Sequence, residues 1–254
     1  MKKVIFIILI VLFLAIAGGI FYRGRIFSVN RVAITQNEAK EKVEPESQVS
    51  VVSSESFAEP EKPIALSIPD FIMLDVPFVG QAPFQIWDAL HEDACEEASL
   101  VMLKYFSDGK KSITKEQAEK EIQDMVAFEK KNGYKPSIAL EELNQIASKY
   151  YKLENGRVGK NITIEDIKKE LSNEKPVIVG AAGKVLPNPN FKNGGPNYHM
   201  LVIIGYDAQG FITNDPGTRL GEGFRYSFDD LLKSIHDWDS KNILNGGKDY
   251  LVFD

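Results

Sequence analysis

One thiol and three imidazoles are the side chains of this sequence best suited to covalent chemistry: Cys95, and His91, His199 and His236. A thiol attacks only as the thiolate. That anion is favoured where a helix begins, because the first turn leaves backbone N–H groups unpaired and the peptide dipoles add. Cys95 opens the string CEEASLVMLKYF, where apolar residues at Ala98, Val101, Met102 and Tyr105 follow a 3-4 spacing that predicts a helix with one buried stripe. Asp93 is placed to cap that helix, which puts Cys95 at its amino terminus. Glu96 and Glu97 fall in the first turn and oppose the thiolate, so an imidazole partner has to supply most of the activation.

His199 stands where the chain leaves a Gly-rich loop and enters the apolar run MLVIIGYD, and Asp215 closes the next run, FITND, after a turn at Ala208 to Gly210. Two adjacent antiparallel strands bring the start of one beside the finish of the other, a geometry that suits an imidazole held by a carboxylate. Gln81 could add a side-chain amide N–H beside that of the nucleophile, completing an oxyanion hole. Each residue alone has a plainer reading: a lone cysteine is a small buried apolar residue, His199 a core histidine, Asp215 a turn former before Pro216-Gly217. Their combination favours chemistry. His91, four residues before Cys95, competes as the base or as a group biasing the thiolate, and His236, within SFDDLLKSIHDWD, is expected on a helix surface.

The elements that must position these residues read as α+β. IPDFIMLDVPF suggests a short leading strand, and the loop GQAPFQIWD follows it. After the Cys95 helix come helical patterns at TKEQAEKEIQDMVAFEKK, SIALEELNQIASKYY and IEDIKKELSN, with Asn132-Gly133 as a turn. Past Lys175 the texture is that of strands: PVIVGAA, a Pro/Asn/Gly loop, HMLVIIGYD, FITNDP and DYLVF. Helices first and strands after is the α+β order.

With 254 residues and 44% apolar content, the chain can bury one substantial core. Its formal charge of −6 argues against nucleic acid as a partner, since phosphate binding needs a basic footprint. A single cysteine excludes an internal disulfide framework and gives no Cys-rich zinc spacing, so neither metal nor cofactor is expected. The uncharged apolar run from Val4 to Tyr22 lies between Lys2-Lys3 and Arg23/Arg25, and it approaches the roughly 20 residues that span a bilayer. It ends AGGIFYRGR without an A-x-A-like site, so residues 1–27 are expected to be an uncleaved transmembrane signal anchor. The positive-inside rule does not decide its orientation; the amino terminus is placed inside the cell and the domain outside. Residues 28–66, rich in Glu, Ser, Lys and Pro, read as a flexible tether, and residues 67–254 as the folded domain. Asn161-Ile162-Thr163 matches a glycosylation acceptor and is taken as chance.

VPFVGQAPFQIWD, DACEEASLVMLKYF, NYHMLVIIGYD and ITNDPGT together resemble the papain-like cysteine peptidases related to the double-glycine leader peptidases of bacteriocin processing. The resemblance spans most of residues 72–254. It implies a helical part carrying the nucleophile packed on an antiparallel sheet. Position by position, it also implies Gln81 in the oxyanion hole, Cys95 as nucleophile, His199 as general base and acid, and Asp215 as the residue orienting it. The bacteriocin-processing relatives are commonly fused to a transporter and an ATP-binding cassette, whereas this chain has one apolar span and no G-x-x-x-x-G-K-[ST] run. Cleavage of double-glycine leaders is therefore not implied; the stretch from Gln81 to Cys95 is more similar to stand-alone members.

The expectation is a single-pass membrane-anchored cysteine peptidase, monomeric and extracytoplasmic, acting on a peptide or protein substrate. Two alternatives are a binding module or inactive relative that holds a peptide or cell-wall fragment, and a cell-wall amidase or transpeptidase using the same triad.

Overall fold

Residues 68–254 are described by the computed structural model; the expected anchor and tether lie outside the described residues. Among the described residues no helix is long and apolar enough to cross a membrane.

The Cys95 string forms α1 (Cys95–Ser107), in which every residue from Cys95 to Leu103 is buried. The expected single stripe is thus too narrow. α1 is walled by a second helix on one side and a sheet on the other, which leaves no solvent face for Glu96, Glu97 or Ser99. The cap also differs: Ala94 is the N-cap residue and no side chain bonds the first turn, while Asp93 belongs to a short 3₁₀ turn, His91–Asp93.

α2 (Lys115–Asn132) begins at Thr114, whose hydroxyl accepts from the Gln117 N–H while Gln117 reaches back, a reciprocal capping box. It buries Ala118, Ile122, Met125 and Glu129 and ends at Gly133, where φ of +82° favours glycine. The expected helix at SIALEELNQIASKYY is shorter: α3 (Leu140–Ile146) passes into a π-helical turn, Ala147–Tyr151. α4 (Ile164–Ser172) is capped by Thr163, and α5 (Phe228–Ser234) by Ser227. His236 therefore lies beyond the helix expected to carry it; it is half-buried and its Nδ1 lies 3.0 Å from the Gly246 carbonyl.

Among the described residues seven strands form one antiparallel sheet: β1 (Ile72–Met73), β2 (Gly156–Gly159), β3 (Val177–Ala182), β4 (Tyr198–Asp207), β5 (Gly210–Asn214), β6 (Phe224–Tyr226) and β7 (Tyr250–Phe253). Their order is β2-β7-β3-β4-β5-β6, with β1 also on β4. The leading strand is only two residues long, and β2 and β6 are too short, or too rich in glycine, to carry a period-2 signal.

Side chains alternate along β4. Tyr198, Met200, Val202 and Ile204 join the core against α1 and α2, while Leu201 and Ile203 join a second core with Ile167, Leu171 and Leu231; past a register shift between Ile203 and Gly205, Tyr206 joins that second core as well. β3 pairs β4 from Tyr198 onward, but β5 pairs it only from Val202, opposite Asn214. The start of β4 therefore has no β5 neighbour, and the candidate residues gather at that opening.

Candidate active site

His199 is the second residue of β4 and Asp215 the first beyond β5, so the hairpin returns the carboxylate to the imidazole. Nε2 of His199 lies 2.7 Å from Oδ1 of Asp215, with both side chains essentially fully buried. Asp215 is held on every side. Oδ1 also accepts from the Gly217 N–H at 3.0 Å, and Oδ2 accepts from the Tyr226 hydroxyl at 2.6 Å and the Asn188 amide at 3.0 Å. Burial pushes the Asp215 carboxyl up, but the adjacent imidazole and these hydrogen bonds outweigh it and hold the group below the usual carboxylate range. With Nε2 committed to Asp215, Nδ1 of His199 makes no hydrogen bond among the described residues.

Phe191 stacks edge-on against the ring at a centroid distance of 5.3 Å. Gly217 lets the ring come this close: a Cβ there would lie 2.8 Å from Cε1 of His199 and 2.9 Å from Cε1 of Phe191.

Cys95 packs on the opposite face of β4, with Tyr198, Met200 and Val202. It is the first residue of α1, is 5% exposed, and its sulfur faces the Met200 backbone N–H, one residue past His199. The thiol donates to Oε2 of Glu96 at 2.9 Å, and no hydrogen bond joins it to the His199 ring among the described residues. Burial pushes the Cys95 thiol well above its ordinary range; the Glu96 and Glu97 carboxyls add to the push and the Met200 N–H opposes it.

Gln81 is tied to the Asp215 turn, its N–H donating to the Pro216 carbonyl at 3.0 Å. Its side-chain amide donates to the carbonyls of His91 at 2.8 Å and Glu92 at 3.2 Å, and Oε1 is buried without a partner. Both amide protons are thus committed to the turn that leads into α1. An oxyanion would be offered one only after a carbonyl contact is released.

His91 points elsewhere. Its ring is clamped between Asp88 (Nδ1 to Oδ1, 2.7 Å) and Glu119 on α2 (Nε2 to Oε1, 3.1 Å), tying the 3₁₀ turn to that helix. Gln81 and His199 line an open cleft of about 750 Å³ whose walls include Gln85 and Trp87 on one side, and Asn190 to Asn193 and Pro216 to Leu220 on the other. Trp87 and the loop around Phe191 line the cleft, whereas Phe84 is not among its lining residues. Sequence reasoning missed Asn188 and Tyr226. An Asn in a Pro/Asn loop and a Tyr in a three-residue strand carry no local mark of contact with Asp215. Among the described residues no cluster of His, Cys, Asp and Glu could hold a metal ion.

A cysteine at a helix start, set against a sheet that carries a buried imidazole–carboxylate pair beside an open cleft, defines the class of papain-like thiol hydrolases. The chain belongs to the Peptidase_C39 like family, whose model matches residues 73–241. A solved structure from Bacillus anthracis, described as a candidate C39-like peptidase, is 17% identical and superposes with a TM-score of 0.50 over 73% of this chain and 98% of that one. At that identity the likeness concerns the fold. Among curated proteins none matches this sequence.

Proposed function

We propose that the chain is a membrane-anchored cysteine peptidase that cleaves peptide bonds through an acyl-enzyme on Cys95. The observation carrying this reading is the buried 2.7 Å contact between His199 and Asp215, which leaves Nδ1 without a partner among the described residues, one residue before Met200, whose N–H faces the Cys95 sulfur. In the proposed reaction the thiol proton first passes to Nδ1, Sγ then attacks the carbonyl carbon as the thiolate, and Asp215 holds the ring and stabilises the imidazolium. The oxyanion is met by the uncapped N–H groups at the start of α1 and by the Gln81 amide once it leaves a carbonyl. The imidazolium protonates the leaving amine, and water, deprotonated by His199, releases the acyl group. Cys95→Ala is expected to lower peptide hydrolysis at least about a thousandfold with an unchanged circular dichroism spectrum; hydrolysis at the wild-type rate would sink the reading.

The burial of the thiol and its contact with Glu96 favour a second reading, an inactive peptide-binding module on the same fold. Iodoacetamide decides between them. A module keeps an inert thiol, whereas an enzyme shows a reactive one whose pH dependence shifts in His199→Ala.

Residues 4–22 form the proposed membrane span, with the domain on the outer side of the membrane. Protease added to intact cells should release the domain by cutting within residues 28–66, and protection until lysis would place it inside.

A further inference from the structure

Behind the nucleophile lies a set of buried acids, and no Lys or Arg is buried among the described residues to match them. Glu96 is 2% exposed; Oε2 meets the Cys95 thiol at 2.9 Å, Oε1 accepts from the Ile138 N–H at 3.4 Å, and the carboxyl also faces its own backbone N–H. The groups that face it are Glu97 on its own helix, Glu129 from α2, Tyr198 from β4 and, beyond Tyr198, Asp237 from the segment after α5. None is a cation; Lys160, whose charge reaches Asp237, is paired with Asp249. Oε2 of Glu97 and Oε1 of Glu129 are buried without any donor among the described residues, and the two carboxyls face one another. A carboxylate buried without a cation takes up a proton rather than bear the desolvation. Burial pushes Glu96 up to about 8, with the Cys95 and Ile138 contacts opposing and Glu129 adding to the rise.

We infer that Glu96 is a further catalytic residue: a neutral carboxylic acid whose O–H holds the Cys95 thiolate, so that the nucleophile is activated from two sides, by His199 and by Glu96. The inference rests on the thiol-hydrolase reading of the site. The heavy-atom contact of 2.9 Å is the same whether S–H donates to carboxylate oxygen or O–H donates to sulfur. When the thiol proton passes to Nδ1 of His199, the Glu96 proton stays on oxygen and turns to the sulfur; no other bond changes. When Glu96 loses that proton, its charge lies against the sulfur, the thiolate is disfavoured, and the proton on His199 returns to sulfur. Raising the pH through the Glu96 titration therefore rebuilds the S–H bond, the reverse of what an isolated thiol does. The Glu beside the nucleophile, an obstacle to the thiolate when ionised, assists it when protonated.

The chain has one cysteine, so its S–H infrared stretch reports Cys95 alone in the wild-type protein. The expected result is an S–H band that grows as pH rises through about 8 while iodoacetamide labelling of Cys95 slows. Glu96→Gln, a neutral donor at every pH, should label within about threefold of wild type at pH 7 and lose the alkaline slowing. Glu96→Ala should label at least about tenfold more slowly, the effect of one unit in thiol pKa. The inference is overturned by an S–H band that only weakens with rising pH, by labelling that rises monotonically in wild type, or by Glu96→Gln and Glu96→Ala behaving alike. If neither variant folds, the wild-type S–H band alone decides. No readout requires peptide turnover. A protein with this pH signature that cleaves no peptide would overturn the peptidase reading and leave the thiolate–acid pair standing.

Discussion

At the scale of single residues, the site depends on contacts too close to tolerate an added atom. Gly217 is the clearest case, since a methyl there would lie 2.8 Å from Cε1 and 3.1 Å from Nε2 of His199. Gly217→Ala is expected to displace the imidazole from Asp215 and slow iodoacetamide labelling of Cys95 at pH 7 by about tenfold or more, with little change in melting temperature. An unchanged labelling rate would show that the ring is not held by that contact. Cys95, His199 and Asp215 were legible in the sequence because each marks an element boundary: a helix start, a strand start, a strand end. Asn188 and Tyr226 were not legible, because their contacts with Asp215 join residues 27 and 11 positions away, across loops whose course no local pattern fixes. The burial of Glu96 and Glu97 was equally hidden. A Glu in a first helical turn reads as a solvated dipole partner until a second helix is packed over it.

At the scale of elements, the helices that frame the site are set by their ends. Thr114 and Gln117 close the start of α2, the helix that carries Glu119 to His91 and Glu129 to Glu97. Thr114→Ala should cost about 1 kcal/mol, read as a lower urea midpoint at an unchanged slope. α1 lacks such a cap, and its first N–H groups stay available at the nucleophile. The placement of Asp93 as the cap erred because three residues before Cys95 are wound into a 3₁₀ turn, which points Asp93 away from the helix start. That turn is held by His91 between Asp88 and Glu119, and its carbonyls hold the Gln81 amide. Sequence showed the extents of α2 and α4 to within a residue or two because caps and apolar periodicity agreed there. It missed β2 and β6, which form because β7 and β5 offer them a free edge.

At the scale of the whole molecule, stability should depend on pH through its buried acids. Burial raises Glu96 to about 8 and raises Glu97, Glu129 and Asp237 as well, so between their unfolded values and these raised ones the native state binds more protons than the unfolded chain. Their contribution is fully present below their unfolded values and is lost as pH rises through the folded ones. Asp215, held low, acts in the opposite sense: its contribution is present above its unfolded value and lost only in acid. The unfolding free energy is therefore expected to fall between about pH 5 and pH 8.5, by up to about 1.4 kcal/mol per pH unit for each acid held protonated, read as a falling melting temperature, and Glu129→Gln should flatten that fall. A melting temperature that rose over this interval would contradict protonated acids in the core. By itself the sequence determined the α+β order, the helix that begins at Cys95 and the hairpin that joins His199 to Asp215, because these follow from local periodicity, caps and turns. Only the tertiary structure decided that the strand edge opens beside His199, that Gln81 is committed to two carbonyls, and that Glu96 lies buried against the thiol. Those outcomes depend on which surfaces exclude water together, and burial of that kind is a property of packed layers rather than of neighbours in the chain.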